Sequence, residues 1–428
     1  MIGVGYVGLV SGTCFADFGN HVYCVDKDEE KIDNLNNGKI PIYEPGLNEI
    51  VRKNYLARRL KFTTDLKIAV QSSDIIFICV GTPTSKKNRS ANLQFVFKVA
   101  KEIRKHIKKF KIIVCKSTVP VTTGDKIEKI ISKKVKKRLY EVISNPEFLR
   151  EGDAIRDFKF PDRIVIGTNN KKIIKKIEYL YEPLIKKGAK LFSTSRRGAE
   201  IIKYASNSFL ATKISFINEI ANLCENINVD VEDVSLGIGL DKRIGDRFLR
   251  AGPAYGGSCF PKDTKAITVT ADQFKTNLSI IKSVIKSNEN RRKLLTKKIE
   301  KILLNKIKNK RIVFLGVTFK ANTDDMRDSS SLSMIPALIK KGAKIKYYDP
   351  SGEKNEFSKM KNVLYCKNIS QACFNADLII IHTEWDEFKT INFKKISKNR
   401  NFKIFDMRNL YSADLMKKKG FKYYSIGR

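Results

Sequence analysis

The chain opens MIGVGYVGLVSGTCFADFGNHVYCVD, with Gly3, Gly5 and Gly8 in the order G-x-G-x-x-G. Glycines at that spacing let a strand turn sharply into a helix, let the backbone approach a pyrophosphate, and let helix and strand pack closely. Asp26 ends the second apolar run, VYCV, close to the spacing at which a carboxylate holds the ribose hydroxyls of a dinucleotide. A carboxylate there repels a 2′-phosphate, so the loop predicts NAD rather than NADP. The fold it demands is a doubly wound α/β sheet.

The rest of the sequence follows that demand. The stretches DLKIAVQSSDIIFICVGTPT, FKIIVCKSTVP and YEVISNPEFLREGDAIRDFKFPDRIVIG alternate helical and strand patterns, which predicts βαβ units and a parallel sheet. RRGAEIIKYASNSFLATKISFINEIANLCENINV has no Pro and apolar residues at helical spacing on two sides, so it predicts one long helix buried between domains or subunits. From about Lys310 a second α/β pattern begins, with RIVFLGVTFK, AKIKYYDP, ADLIIIHTEW and NFKIFDMRN as strands. The expectation is an α/β protein of two Rossmann-like doubly wound parallel-sheet domains joined by a long central helix. The expected divisions are 1–195, 196–295 and 296–428. Only Met1 and Ile2 precede Gly3, where a central strand of about five residues is expected. The sequence therefore reads as starting about four to six residues short, with NAD binding and stability weakened accordingly.

The formal charge is +38, from 83 Lys and Arg against 45 Asp and Glu. The lysines are scattered, without basic blocks carrying interleaved aromatics, which predicts a solvated surface and no nucleic-acid partner. Such a field still attracts anionic substrates. No run approaches the roughly 18 apolar residues of a membrane helix, so no membrane association and a cytoplasmic location are expected. Eight cysteines without C-x-x-C pairs read as reduced thiols, with no metal site.

Four short motifs carry candidate chemistry. GTPT (81–84) and STVP (117–120) end predicted strands on the side where a cofactor lies, though either could be a mere turn. Lys203 and Asn207 are four apart on the long helix, so they share a face. An ammonium there can stabilise an alkoxide, and an amide can hold the alkoxide or a water; the plain alternative is a solvated Lys beside a capping Asn. GGSCFPKD (256–263) puts Cys259 on a glycine-rich loop with Lys262 and Asp263 close behind. A thiol near a cation favours its thiolate and becomes a nucleophile, whereas a lone Cys is usually a small buried residue.

In combination, GVGYVGLV, IPIYEPGL, GTPT, STVP, NPEFLREG, the Lys203 helix, RIGDRFLRAGPAYGGSCFPKD and FLGVTFKANTDDMRDS resemble the UDP-glucose 6-dehydrogenases over nearly the whole chain. The nearest competing members are the GDP-mannose dehydrogenases and other nucleotide-sugar 6-dehydrogenases; GGSC, where N-acetylmannosamine-type relatives have GGHC, disfavours those N-acetylmannosamine-type enzymes. The resemblance implies four-electron oxidation of a sugar C6 alcohol to a carboxylate with two NAD molecules. It gives Lys203 and Asn207 the alkoxide, Asp263 an assisting role through water, Cys259 a thiohemiacetal and then a thioester, and Glu147 with Thr118 the hydrolysis. Around NAD it adds Tyr6, Val7, Lys31, Thr82, Thr84, Thr118, Glu151, Lys262 and Arg327 to Gly3, Gly5, Gly8 and Asp26. Around the UDP-sugar it implies Glu147, Phe148, Leu149, Lys203, Asn207, Phe248, Arg250, Tyr255, Gly256, Phe319, Lys320 and Arg408. It also implies a homodimer in which Arg243 reaches the partner's substrate. Pro253 and Ala254 depart from the family pattern, which more often has an apolar residue and Gly there. A β-hydroxyacid-type dehydrogenase, using one NAD and indifferent to Cys259, is the rival enzyme; a polyanion binder is the rival of another class.

Overall fold

The computed structural model describes residues 1–85, 90–396 and 401–428. It divides into two compact units, 1–206 with 265–276, and 207–264 with 277–428.

In the first unit the helix Tyr6–Asp17 follows the glycine loop directly. The strands are β1 (Val22–Val25), β2 (Leu60–Thr63), β3 (Ile75–Ile78), β4 (Lys111–Cys115), β5 (Tyr140–Ser144), β6 (Arg163–Gly167) and β7 (Lys190–Thr194). β1 pairs with β2, and β3 to β7 pair in chain order. The two pieces are joined by one residue: Ile2 bridges Val25 on one side and Ile78 on the other, both in parallel. Its N–H donates to the Phe77 carbonyl and its carbonyl accepts from Cys79, each at 2.8 Å. Where sequence reasoning expected about five residues, Met1 to Gly3 supply the central rungs.

β4 is buried at every residue, as a strand covered on both faces must be. Leu9, Val10, Phe15, Phe77 and Val114 fill one side of this sheet, and Ile76, Ile78, Val96, Ile113 and Ile127 fill the other. The sheet is not wholly parallel. β5 meets β6 antiparallel at Ser144 and Gly167, and a Cβ on Gly167 would lie 2.7 Å from that of Ala199. The NPEFLREG loop and the short helix Ala154–Lys159 make the connection from β5 to β6.

In the second unit β8 (Arg311–Leu315), β9 (Lys344–Tyr348), β10 (Val363–Tyr365), β11 (Leu378–Ile381), β12 (Lys403–Asp406) and β13 (Lys422–Tyr424) form one parallel sheet. Its order is β10-β9-β8-β11-β12-β13, so the order reverses beside β8. That is the switch point outside which open α/β sheets bind ligands. The helix Ser279–Ile302 packs its Leu295, Ile299 and Ile302 into this unit's core with Phe314, Met334 and Ile380. The predicted long helix spans Arg196–Ile227. No helix among the described residues is long and apolar enough to cross a membrane.

Candidate active site

The first unit carries a dinucleotide cradle. Gly3 has φ +95°, a conformation that favours glycine, and a Cβ on Gly8 would run into the Gly3 carbonyl oxygen. Gly5 has open space where its Cβ would point, and the helix it starts has neither a capping side chain nor an acidic residue in its first turn. Uncapped N–H groups at a helix N-terminus with room in front fit a pyrophosphate. The Asp26 carboxylate accepts from the Val4 N–H at 2.8 Å and pairs with Lys31 at 3.4 Å. Val7 is packed against the core below, whereas the Tyr6 phenol turns inward to the Glu44 carboxylate.

The two threonine turns meet. Thr82 Oγ1 donates to the Thr118 carbonyl at 2.9 Å, and Ser117 Oγ donates to the Val80 carbonyl at 2.7 Å. Thr84 forms an antiparallel bridge with Ala91. The STVP turn is fixed from below by Glu200 of the long helix. Its buried carboxylate accepts from the Thr122 N–H at 2.8 Å and the Gly124 N–H at 2.7 Å. Burial pushes the Glu200 carboxyl up to about 7 against these donors.

The NPEFLREG loop follows β5. Asn145 is fixed by Tyr181, which donates to its Oδ1 at 2.6 Å, and by Lys116 at 3.2 Å. Burial draws the Lys116 ammonium down to about 8, against the opposing pull of the Glu147 carboxylate. Glu147 then turns inward and forms a buried ion pair with Lys203, 3.4 Å from Oε1 to Nζ, while its Oε2 accepts from the Leu149 N–H. The Phe148 ring carries two cations, Arg163 at 3.9 Å and Lys203 at 5.1 Å from the centroid. Glu151 is half-buried on the same loop.

The second unit holds the cysteine. Cys259 immediately precedes the helix Phe260–Gln273, so its half-exposed thiol stands at that helix's N-terminus, where a thiolate is favoured. Asp263, fully buried one turn on, accepts from Asn207 Nδ2 at 2.6 Å and from Lys262 at 2.5 Å. Lys262 thus directs its charge to Asp263. The glycines before Cys259 are set by the loop after β8: a Cβ on Gly256 would lie 2.6 Å from the Asp328 carbonyl oxygen, and one on Gly257 2.7 Å from the Phe319 ring. Gly257 N–H donates to the Arg327 carbonyl at 2.7 Å.

Other predicted residues scatter around this loop. Tyr255 is buried, its phenol pushed up to about 12 by burial, and Phe248 lies edge-on to Phe260 at 6.0 Å with a left-handed φ of 66°. Lys320 lies near the Phe319 ring, and Arg408 donates to the Phe319 carbonyl at 2.8 Å. Arg250 is exposed. Arg327 forks onto Asp325 at 2.8 Å, and the exposed Arg243 forks onto Asp241.

Sequence reasoning missed the residues that hold the 250–256 loop. Asn218 Oδ1 accepts from Gly252 at 2.8 Å, and Arg291 Nε donates to the Gly252 carbonyl at 3.1 Å. Asn288 both accepts from the Tyr255 N–H at 2.9 Å and donates to its carbonyl at 3.0 Å. The available signal was a polar residue on the buried face of each helix, at Asn218, Asn288 and Arg291.

With this geometry described, comparison with known proteins is direct. Models of the UDP-glucose/GDP-mannose dehydrogenase family match at residues 1–185 (NAD binding domain), 197–290 (central domain) and 313–413 (UDP binding domain). UDP-glucose 6-dehydrogenase of Rhizobium meliloti is 47% identical over 431 residues, covering 100% of this chain and 99% of the relative. The enzyme of the same name from Rickettsia felis is 46% identical over 429 residues, covering 100% and 95%. Among solved structures, a UDP-glucose dehydrogenase from the archaeon Pyrobaculum islandicum is 32% identical with a TM-score of 0.90, covering 99% of this chain and 95% of the other.

Proposed function

Because this chain belongs to the UDP-glucose/GDP-mannose dehydrogenase family and has its NAD binding domain, we propose that it oxidises the C6 alcohol of UDP-glucose to the carboxylate of UDP-glucuronate. NAD supplies two hydride acceptors, and one water supplies the second carboxylate oxygen.

The observation that carries this reading is the placement of Cys259 at a helix N-terminus one turn from the buried Asn207–Asp263–Lys262 cluster. A simple alcohol dehydrogenase has no use for that thiol. In the first oxidation the C6 hydroxyl proton passes to a water beside Asp263 and the C6 carbon then loses a hydride, while Lys203 and Asn207 stabilise the alkoxide and Asp263 orients the amide. The Cys259 thiolate then forms a C–S bond to the aldehyde carbon, giving a thiohemiacetal. Loss of a second hydride yields the thioester, and water cleaves its C–S bond with Glu147 taking the water's proton. The ion pair with Lys203 supports that assignment by holding the Glu147 carboxylate in place beside the long helix. Lys31, Thr82, Thr84, Thr118, Glu151 and Arg327 complete the NAD contacts in this reading. Phe148, Leu149, Phe248, Arg250, Tyr255, Gly256, Phe319, Lys320 and Arg408 line the nucleotide-sugar site.

A cytoplasmic homodimer belongs to the same proposal. Eight free cysteines fit a reducing compartment. On the long helix Phe209, Phe216 and Leu223 recur every seven residues and are at least half exposed. A sustained apolar stripe of that period fits a helix-to-helix contact, and Arg243 is free of the fold's interior to reach a partner's substrate.

The deciding experiment is NADH release against UDP-glucose, UDP-galactose, GDP-mannose and UDP-N-acetylmannosamine. UDP-glucose turned over with two NADH per sugar is the expected result; preference for another sugar, or one NADH per sugar, overturns the reading.

A further inference from the structure

The IYEPG segment contributes a buried carboxylate that the mechanism does not use. Glu44 is 8% exposed, and three donors from two distant segments meet on it. Its Oε2 accepts from the Tyr6 phenol and, at 2.7 Å, from the Gly152 N–H; its Oε1 accepts from the Ile155 N–H at 3.2 Å. The Gly152 N–H is shared, lying 2.6 Å from the Tyr6 oxygen as well. Tyr6 is the residue after Gly5, in the first turn of the cradle helix; Gly152 lies near the end of the loop that begins with Glu147, and Ile155 in the first turn of the helix Ala154–Lys159 that follows.

We propose that Glu44 is a positioning residue which transmits occupancy of the glycine loop to the NPEFLREG loop, so that binding NAD orders the segment bearing Glu147, Phe148, Leu149 and Glu151. A pyrophosphate on the first turn immobilises the backbone at Gly5 and Tyr6, and hence the phenol. The phenol and Gly152 share one carboxylate oxygen in a buried site, where releasing either leaves an unsatisfied donor. Opening of the 147–155 loop is therefore less favourable when the first turn is held. Ile155 and Leu149 pack on the same core as Tyr6, which keeps the linkage short. Linkage of this kind couples two sites through local order without a change of mean structure.

The inference rests on the function proposed above only for the roles given to Glu147 and Glu151. Its test reads amide hydrogen exchange of the full chain with and without NAD, at matched occupancy and without any sugar. In the wild type NAD is expected to slow exchange in a peptide covering 150–158 by about tenfold, within the usual range of site-to-site coupling. In Glu44→Gln that slowing falls below about twofold, while slowing within Tyr6–Asp17 persists. Tyr6→Phe removes only the phenol link and is expected to lose the NAD-dependent slowing while keeping basal protection, which covers the case that Glu44→Gln folds poorly. Equal slowing in wild type and both variants, or none in the wild type, overturns the proposal. Absence of NADH release from UDP-glucose by the wild type would sink the functional reading and leave this result standing.

Discussion

Glu147 and Lys203 form an ion pair 3.4 Å long in which each side chain is only 4% exposed. One lies on a loop and the other on the long helix, so each holds the other's position as well as its charge. Removing one member strands a buried charge, which typically costs about 3–5 kcal/mol. Lys203→Met is therefore expected to lower the unfolding free energy of its unit by that order and kcat by roughly 10²-fold or more. The double variant Lys203→Met with Glu147→Gln should recover stability but not turnover. Denaturant titration beside steady-state NADH release separates the effects, and recovery of both would reduce the pair to a structural role.

Cys259→Ser keeps the loop's shape and removes the thiolate. NAD and UDP-glucose binding, followed by calorimetry, should survive. Steady NADH release should stop after the first oxidation or give way to a trapped ester. Turnover near the wild-type rate would end the thioester mechanism.

Glu200 gives stability a pH signature. Its folded pKa of about 7 lies above that of the unfolded chain, so between those values the folded protein binds more protons and stability falls as pH rises. The contribution is fully present below the unfolded value and lost through the folded one. Subtracting the unfolding free energy of Glu200→Gln from that of the wild type should give a curve declining by about 3 kcal/mol between roughly pH 4.5 and 7 and flat above. A curve without slope there would show that the carboxyl ionises normally.

Gly257 has φ +81° and a Cβ there would lie 2.7 Å from the Phe319 ring, whereas a Cβ on Gly237 would meet nothing within 4 Å and its φ is ordinary. Gly257→Ala should cost about 1–3 kcal/mol and impair the cysteine loop. Gly237→Ala, inside a helix, should be neutral or slightly stabilising. Thermal melting of the two variants checks both signs.

Much of this was legible in the sequence because it is local. The glycine spacing, Asp26 after its strand, the period of the long helix and the Gly-Gly-Ser-Cys loop each state their meaning within a few residues. β2, β7, β10 and β13 were missed because they are short and carry exposed residues, which dilutes the apolar signal. The reversal of β6 is a matter of pairing direction, which periodicity does not encode. Glu44, Glu200, Asn218, Asn288 and Arg291 stayed silent for another reason. Each meets partners dozens of residues away, as Glu44 meets Gly152, and nothing in a single sequence pairs them.

The bonds from Asn218, Asn288 and Arg291 to the 250–256 loop have a consequence for affinity. That segment has no regular hydrogen-bond ladder, yet Asn288 grips Tyr255 by both its N–H and its carbonyl, as a neighbouring strand would. The freedom the loop would otherwise surrender when it closes on a ligand is already surrendered when the helices fold. If the loop lines the nucleotide-sugar site as proposed, a nucleotide meeting such a rigid rim keeps more of its gross interaction energy as affinity. In that proposed site the tightness of recognition is thus written partly into the helix positions that hold the loop.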